Sequence, residues 1–110
     1  MKVAIPLAEG KLATHFGHCQ QFAFVHVKDG EIAQTEIQTP PPHEPGVLPK
    51  WLGDNGVTVV IAGGMGARAV GLLQENQIEV KTGAPRMEPE TLVRQYLSNE
   101  LVTGQNLCDH

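Results

Sequence analysis

Five consecutive residues near the amino terminus bring metal-binding side chains together. His15, His18 and Cys19 place two imidazoles and a thiol in the segment His15-Phe16-Gly17-His18-Cys19. Imidazole and thiolate suit soft or borderline metals and iron–sulfur species. No second cysteine pair follows at a zinc-finger spacing, so that class of site does not match. The alternative is that His18 faces solvent and Cys19 packs as a small apolar residue.

A second histidine lies in a proline-rich stretch. His43 opens the sequence His-Glu-Pro-Gly directly after Pro40-Pro41-Pro42, which predicts a rigid, extended connection. Such a segment could aim His43 across the end of a sheet toward His15, and the alternative is an ordinary surface histidine. At the other end of the chain, Cys108 and His110 could close over a metal, although chain termini commonly fray.

The third candidate site is the turn Gly63-Gly64-Met65-Gly66. It falls between a predicted buried strand and a predicted helix. Glycines let the backbone approach a ligand closely, and the start of a helix presents unpaired amides and partial positive charge. These features favour a phosphate, a carboxylate or an anionic sulfide cluster, with a thioether contact from Met65 and charge from Arg68. The alternative is a tight turn that requires glycine for steric reasons alone.

Composition limits the classes of protein to which the chain can belong. Its 110 residues, 41% hydrophobic and 18% charged, predict one globular domain over residues 1–110. The net charge is −4, and no basic stripe of the kind found in nucleic-acid binders is present. No apolar run is long enough to cross a bilayer. Two cysteines make no disulfide framework, and we expect a cytoplasmic protein with reduced thiols.

Hydrophobic patterning predicts the elements that would position these sites. The predicted strands begin at Val3 (ending before Gly10), Phe22, Glu31, Val57 and Ile78, and the predicted helices begin at Val47, Ala67 and Pro89. Asp29-Gly30 is a strong hairpin signal between the second and third strands. The nearly continuous apolar run Val57–Ala62 is typical of a central strand buried on both faces.

The order of elements predicts an α/β fold. The sequence β-β-β-α-β-α-β-α gives a mixed five-stranded sheet with an N-terminal antiparallel hairpin and helices on both faces. Residues 98–110 show no period, and we expect a mobile tail there.

The three candidate sites occur in a fixed order that resembles a known family. His15-Phe16-Gly17, the His43 motif and the run Val59–Ala69, which contains Gly-Gly-Met-Gly-x-Arg, together resemble the nitrogenase iron–molybdenum cofactor biosynthesis and carrier proteins. That family includes NifX, NafY, the C-terminal domain of NifB and the small orange protein of sulfate reducers. The resemblance covers nearly the whole chain, up to about Leu97, and the stand-alone domain is most similar to the orange-protein type.

The resemblance implies a fold, a function and a site. It implies a ribonuclease-H-like fold and a non-enzymatic role in binding and carrying a metal–sulfide cluster, of the Mo–Cu sulfide or Fe–Mo type. It places the best candidate cluster contact on His15, and the glycine-rich turn on residues 63–66. The implied partners are the inorganic cluster and a transient protein donor or acceptor, with no nucleic acid or membrane, and we expect a monomer.

Other classes of function remain open at this stage. Gly64-x-Gly66-x-x-Ala69 after a strand imitates a dinucleotide fingerprint, with Glu79 as its acidic residue, so the alternative is a small nucleotide- or anion-binding regulatory module. A third hypothesis is a scaffold partner of larger machinery. A nuclease is disfavoured because neither the first strand nor Val57–Ala62 contains the carboxylates that would hold magnesium.

Overall fold

A mixed sheet flanked by helices forms the part of the chain that the computed structural model describes, residues 1–14, 16, 19–42, 46–101 and 103. The strands are β1 (Lys2–Ala8), β2 (Lys11–Leu12), β3 (Gln21–Lys28), β4 (Glu31–Gln38), β5 (Val59–Ile61) and β6 (Glu79–Lys81). The helices are α1 (Val47–Asp54), α2 (Ala67–Glu75) and α3 (Pro89–Leu97). The predicted α/β class and the three helices are confirmed. The predicted number of five strands is wrong, because six are present in these ranges.

The additional strand is β2, which forms a short hairpin with β1. Glu9 and Gly10 connect them with φ angles of 56° and 82°, and two successive left-handed residues make the type I′ turn that suits a twisted hairpin. Leu7 then pairs with Leu12. A strand of two residues is too short to show a hydrophobic period, so patterning could not detect it.

The sheet brings the carboxyl ends of three parallel strands to one edge. Its order is β4-β3-β1-β5-β6, with β2 paired to β1. β1 is parallel to β5 and β5 to β6, whereas β3 is antiparallel to both β1 and β4. The segments that follow β1, β5 and β6 therefore meet, and this is the edge at which open α/β sheets usually bind ligands.

A proline within β1 marks the point where its neighbour changes. β1 pairs with β5 through Val3 and Ala4, and with β2 only from Leu7 onward. Pro6 lies between, and its carbonyl accepts a bond from the amide of Ala13 at 2.8 Å. In a strand, the N–H and C=O groups of one residue point to the same side. The side on which Pro6 lacks an N–H therefore faces the gap between β5 and β2, and the ladder with β3 loses no hydrogen bond.

Each face of the sheet has its own apolar core. Leu92 and Val93 of α3 pack on one face against Val3 and Ile5 of β1. On the other face α1 and α2 pack against a second cluster that includes four aromatic rings: Phe16, Phe22, Phe24 and Trp51. The helices thus cover both faces, as predicted.

The first residues after α3 are held against the rest of the protein. The amides of Glu100 and Leu101 donate to the carbonyl of Gln95 at 2.7 and 3.1 Å, and Leu101 packs against the core on the α3 face. The remaining tail, residues 102 and 104–110, lies outside the described residues. Among the helices described, none has the length and apolar character needed to span a membrane.

Candidate functional site

A cleft of about 190 Å³ opens at the edge where β1, β5 and β6 end. Three stretches of chain form its walls: the end of β2 with the loop that follows, the glycine turn after β5, and the segment after β6. The lining residues are Leu12, Ala13, Thr14, Gly63, Gly64, Gly83, Ala84 and Arg86. Most of this wall is backbone and small apolar side chain, and Arg86 is its one charged residue among those described.

Two of the predicted sites meet through backbone hydrogen bonds in this cleft. The amide of Gly64 donates to the carbonyl of Thr14 at 2.7 Å, and the amide of Phe16 donates to the carbonyl of Gly64 at 2.8 Å. Thr14 and Phe16 are the residues directly before and after His15 in the sequence. The glycine turn therefore lies at the same end of the sheet as Thr14 and Phe16.

Gly63 is required because the backbone of the loop passes directly over it. A Cβ atom at this position would lie 2.9 Å from the carbonyl oxygen of Thr14 and 3.2 Å from that of Ala13. Both atoms belong to the backbone and are held by neighbouring hydrogen bonds, so they cannot move aside as a flexible side chain would. This glycine serves close approach between two segments, a role distinct from left-handed backbone geometry.

The segment after β6 forms the third wall, and the sequence-based prediction missed it. The amide of Gly83 donates to the carbonyl of Gly63 at 2.7 Å, and the amide of Leu12 donates to the carbonyl of Met87 at 3.0 Å. Gly83 has a φ angle of 75°, which glycine tolerates far better than other residues. The available signal was topological: a glycine directly after a parallel strand, at the edge where the other two parallel strands end.

Two of the predicted ligand contacts are buried in the core. The ring of Phe16 is 4% exposed and meets Phe22 edge-to-face, with 5.8 Å between ring centroids. Met65 is 1% exposed and belongs to the same apolar cluster. Phe16 therefore anchors the loop that carries position 15. A ligand contact by either side chain stays a prediction.

Cys19 lies partly buried against the same cluster. Burial raises the pKa of its thiol to about 11, although a backbone hydrogen bond opposes the shift. The thiol is therefore protonated at neutral pH, and metal ligation by Cys19 would require this proton to leave. The environment also fits the alternative in which Cys19 is a small packing residue.

The start of α2 lies next to the cleft in sequence but does not line it. Gly66 precedes the helix in an extended conformation, and no side chain caps the helix. Gly66 and Arg68 are exposed, and neither is among the cleft-lining residues. Their predicted contacts with a ligand remain predictions.

Several predicted ligands lie outside the described residues. These are His15, Gly17, His18 and His43, together with the tail residues Cys108 and His110. Within the described part of the chain, no three or more histidine, cysteine, aspartate or glutamate side chains group as a metal site.

Glu79 has structural partners that do not suit a dinucleotide site. It is the first residue of β6, and its carboxylate accepts a hydrogen bond from the Tyr96 hydroxyl at 2.6 Å and lies 3.2 Å from the Lys81 ammonium. The Tyr96 bond is the main cause that lowers the pKa of Glu79. This carboxylate is therefore engaged with α3 and β6, a role different from the one that the dinucleotide hypothesis gives it.

The chain is a small α/β domain with a cleft at the carboxyl ends of its parallel strands, and comparisons identify its family. Residues 1–99 match the dinitrogenase iron-molybdenum cofactor family. The chain belongs to this family, as the ordered motifs indicated.

Individual proteins of known structure or sequence are also similar to the chain. The crystal structure of the protein PH0822 is 27% identical and superposes with a TM-score of 0.88 over 96% of both chains. The apo form of the orange protein from Desulfovibrio gigas is 20% identical, with a TM-score of 0.74 over 96% of this chain and 93% of that one, which shows a shared fold. An uncharacterized protein of Methanocaldococcus jannaschii is 43% identical over 37 residues, 34% of this chain and 31% of that protein.

Proposed function

We propose that the protein binds and carries a metal–sulfur cofactor, or a precursor of one, in the cleft at the carboxyl ends of β1, β5 and β6, without catalysing a reaction. The observation that carries this proposal is the pair of hydrogen bonds between Gly64 and the residues on either side of His15, in a chain that belongs to the dinitrogenase iron-molybdenum cofactor family. The cargo would be an inorganic sulfide cluster of molybdenum with iron or copper.

The chemistry of the cleft suits cargo that has to be released again. A thiometalate cluster is an anion with soft, polarisable sulfur at its surface. An arginine and apolar walls can hold such an anion by charge-assisted hydrogen bonds and packing, and one imidazole, predicted to be that of His15, could reach an exposed metal atom. Few direct ligands permit fast exchange with a donor or an acceptor protein.

The proposal also covers the fold classification, the oligomeric state and the location of the protein. It includes a ribonuclease-H-like classification of the fold, supported by three antiparallel strands followed by two parallel crossovers. It also includes a monomer in the cytoplasm that meets its donor and acceptor proteins transiently. The alternative function, a small nucleotide- or anion-binding regulatory module, is decided by the experiment that follows.

Reconstitution under anaerobic conditions tests the proposal. Apo protein mixed with tetrathiomolybdate, with and without copper(I), is desalted and examined by visible absorption and elemental analysis. We expect about one cluster to be retained per chain, with charge-transfer bands shifted from those of the free anion. Loss of all molybdenum on desalting, together with binding of nucleotides or phosphate, would support the regulatory module instead.

A further inference from the structure

The cleft has a single charged side chain among the described residues, and it belongs to the segment after β6. We propose that Arg86 is the residue that selects a small anionic cargo by its negative charge. This inference rests on the proposed function and deepens it, because it names the charge and size of the guest and the group that recognises it.

The guanidinium of Arg86 is held along one side only. Its Nη2 donates to the carbonyl of Ala8 at 3.2 Å and lies 3.7 Å from the Glu9 carboxylate. A guanidinium has five N–H donors in a fixed plane, so most of them remain for a guest. Glu9 is 81% exposed, and an exposed ion pair of this kind is weak and screened by salt.

Backbone hydrogen bonds hold the segment that carries Arg86. The amide of Ala84 donates to the carbonyl of Ala62 at 3.1 Å, and the Leu12–Met87 bond holds the segment on its other side. Arg86 lies between these attachments. Because its backbone is held in place, only the side chain of Arg86 would have to be ordered when an anion binds.

The volume of the cleft limits the guest. The cleft is small, with a volume of about 190 Å³. This size suits a small tetrahedral anion, whereas a cluster of many metals would extend into solvent.

Two other arginines can be compared with Arg86 as possible controls. Arg68 is exposed in the first turn of α2 and does not line the cleft. Arg94 lines a separate cavity of about 470 Å³ formed by the β3–β4 hairpin and the end of α3. Arg94→Gln is therefore a matched control, because it removes the same charge beside a different cavity.

Titration of the full chain with tetrathiomolybdate tests the inference. Arg86→Gln is expected to weaken binding about ten-fold or more, the usual range for loss of a charge-assisted contact. Arg86→Lys should be intermediate, and Arg94→Gln should match the wild type. Glu9→Gln should tighten binding, since it removes a competing carboxylate, and this variant retains the arginine and so guards against a folding defect.

The outcomes separate this inference from the proposed function. If the wild type binds tetrathiomolybdate and Arg86→Gln binds it equally well, or if Arg68→Gln has the larger effect, the role of Arg86 is overturned while the carrier function stands. If phosphate or molybdate binds as tightly as the thioanion, the sulfide cargo of the proposed function is overturned while the role of Arg86 stands. If the wild type binds none of these anions, both proposals fail.

Discussion

Replacement of Gly63 by alanine is expected to lower the free energy of unfolding by about 1–3 kcal/mol, the usual cost of forcing an extra methyl group into a packed site. The added Cβ would lie 2.9 Å from the Thr14 carbonyl oxygen. Because the loop would have to move away from the glycine turn, we also expect cluster retention to fall sharply. Chemical denaturation and the reconstitution assay measure the two effects.

Gly71→Ala is the matched control for this substitution. Gly71 lies within α2, and a Cβ there would meet no atom within 4 Å. Alanine in a helix is favoured over glycine by about 0.5–1 kcal/mol, so this variant should be slightly more stable than the wild type and bind normally. If Gly63→Ala behaved like Gly71→Ala, the close approach of the loop would have no energetic importance.

His15→Ala is expected to weaken cluster retention sharply while leaving the far-ultraviolet circular dichroism unchanged. The physical reason is the loss of an imidazole that we predict to reach the metal, at a position whose two neighbours are hydrogen-bonded to Gly64. Molybdenum retained after desalting measures the effect.

His26→Ala provides the control for the histidine substitution. His26 lies on β3 with its Nε2 3.3 Å from a carboxylate oxygen of Glu36, and it takes no part in the cleft. We expect normal retention in this variant. Equal retention in His15→Ala and the wild type would remove His15 from the site.

The elements of the fold were predictable because their patterns are long and regular. The helix predicted to begin at Pro89 begins there in the structure, since proline suits the first turn and the apolar residues recur at helical spacing. The Asp29-Gly30 turn is confirmed, with φ angles of 54° and 77°. By contrast, the Glu9-Gly10 hairpin was missed because two residues of strand carry no periodic signal.

The candidate site was predictable only in part. Two local patterns could be recognised: a glycine after a buried strand, and a histidine followed by an aromatic residue and a glycine. Hydrogen bonds join Gly64 of the first pattern to Thr14 and Phe16, which flank the histidine of the second. The contribution of Arg86 was not visible, because it depends on which strands are neighbours and on the Leu12–Met87 bond between distant segments. The burial of Met65 was likewise a matter of packing rather than of motif.

The most direct test of the account is a map of amide chemical shifts as tetrathiomolybdate is added to ¹⁵N-labelled apo protein. We expect the largest changes at Thr14, Gly63, Gly64 and Gly83, which surround the cleft, with little change at Gly30 and Ser98 beside the other cavity. Changes confined to that second cavity, or spread evenly over the surface, would contradict the claim that the glycine turn and the histidine loop together form the binding site.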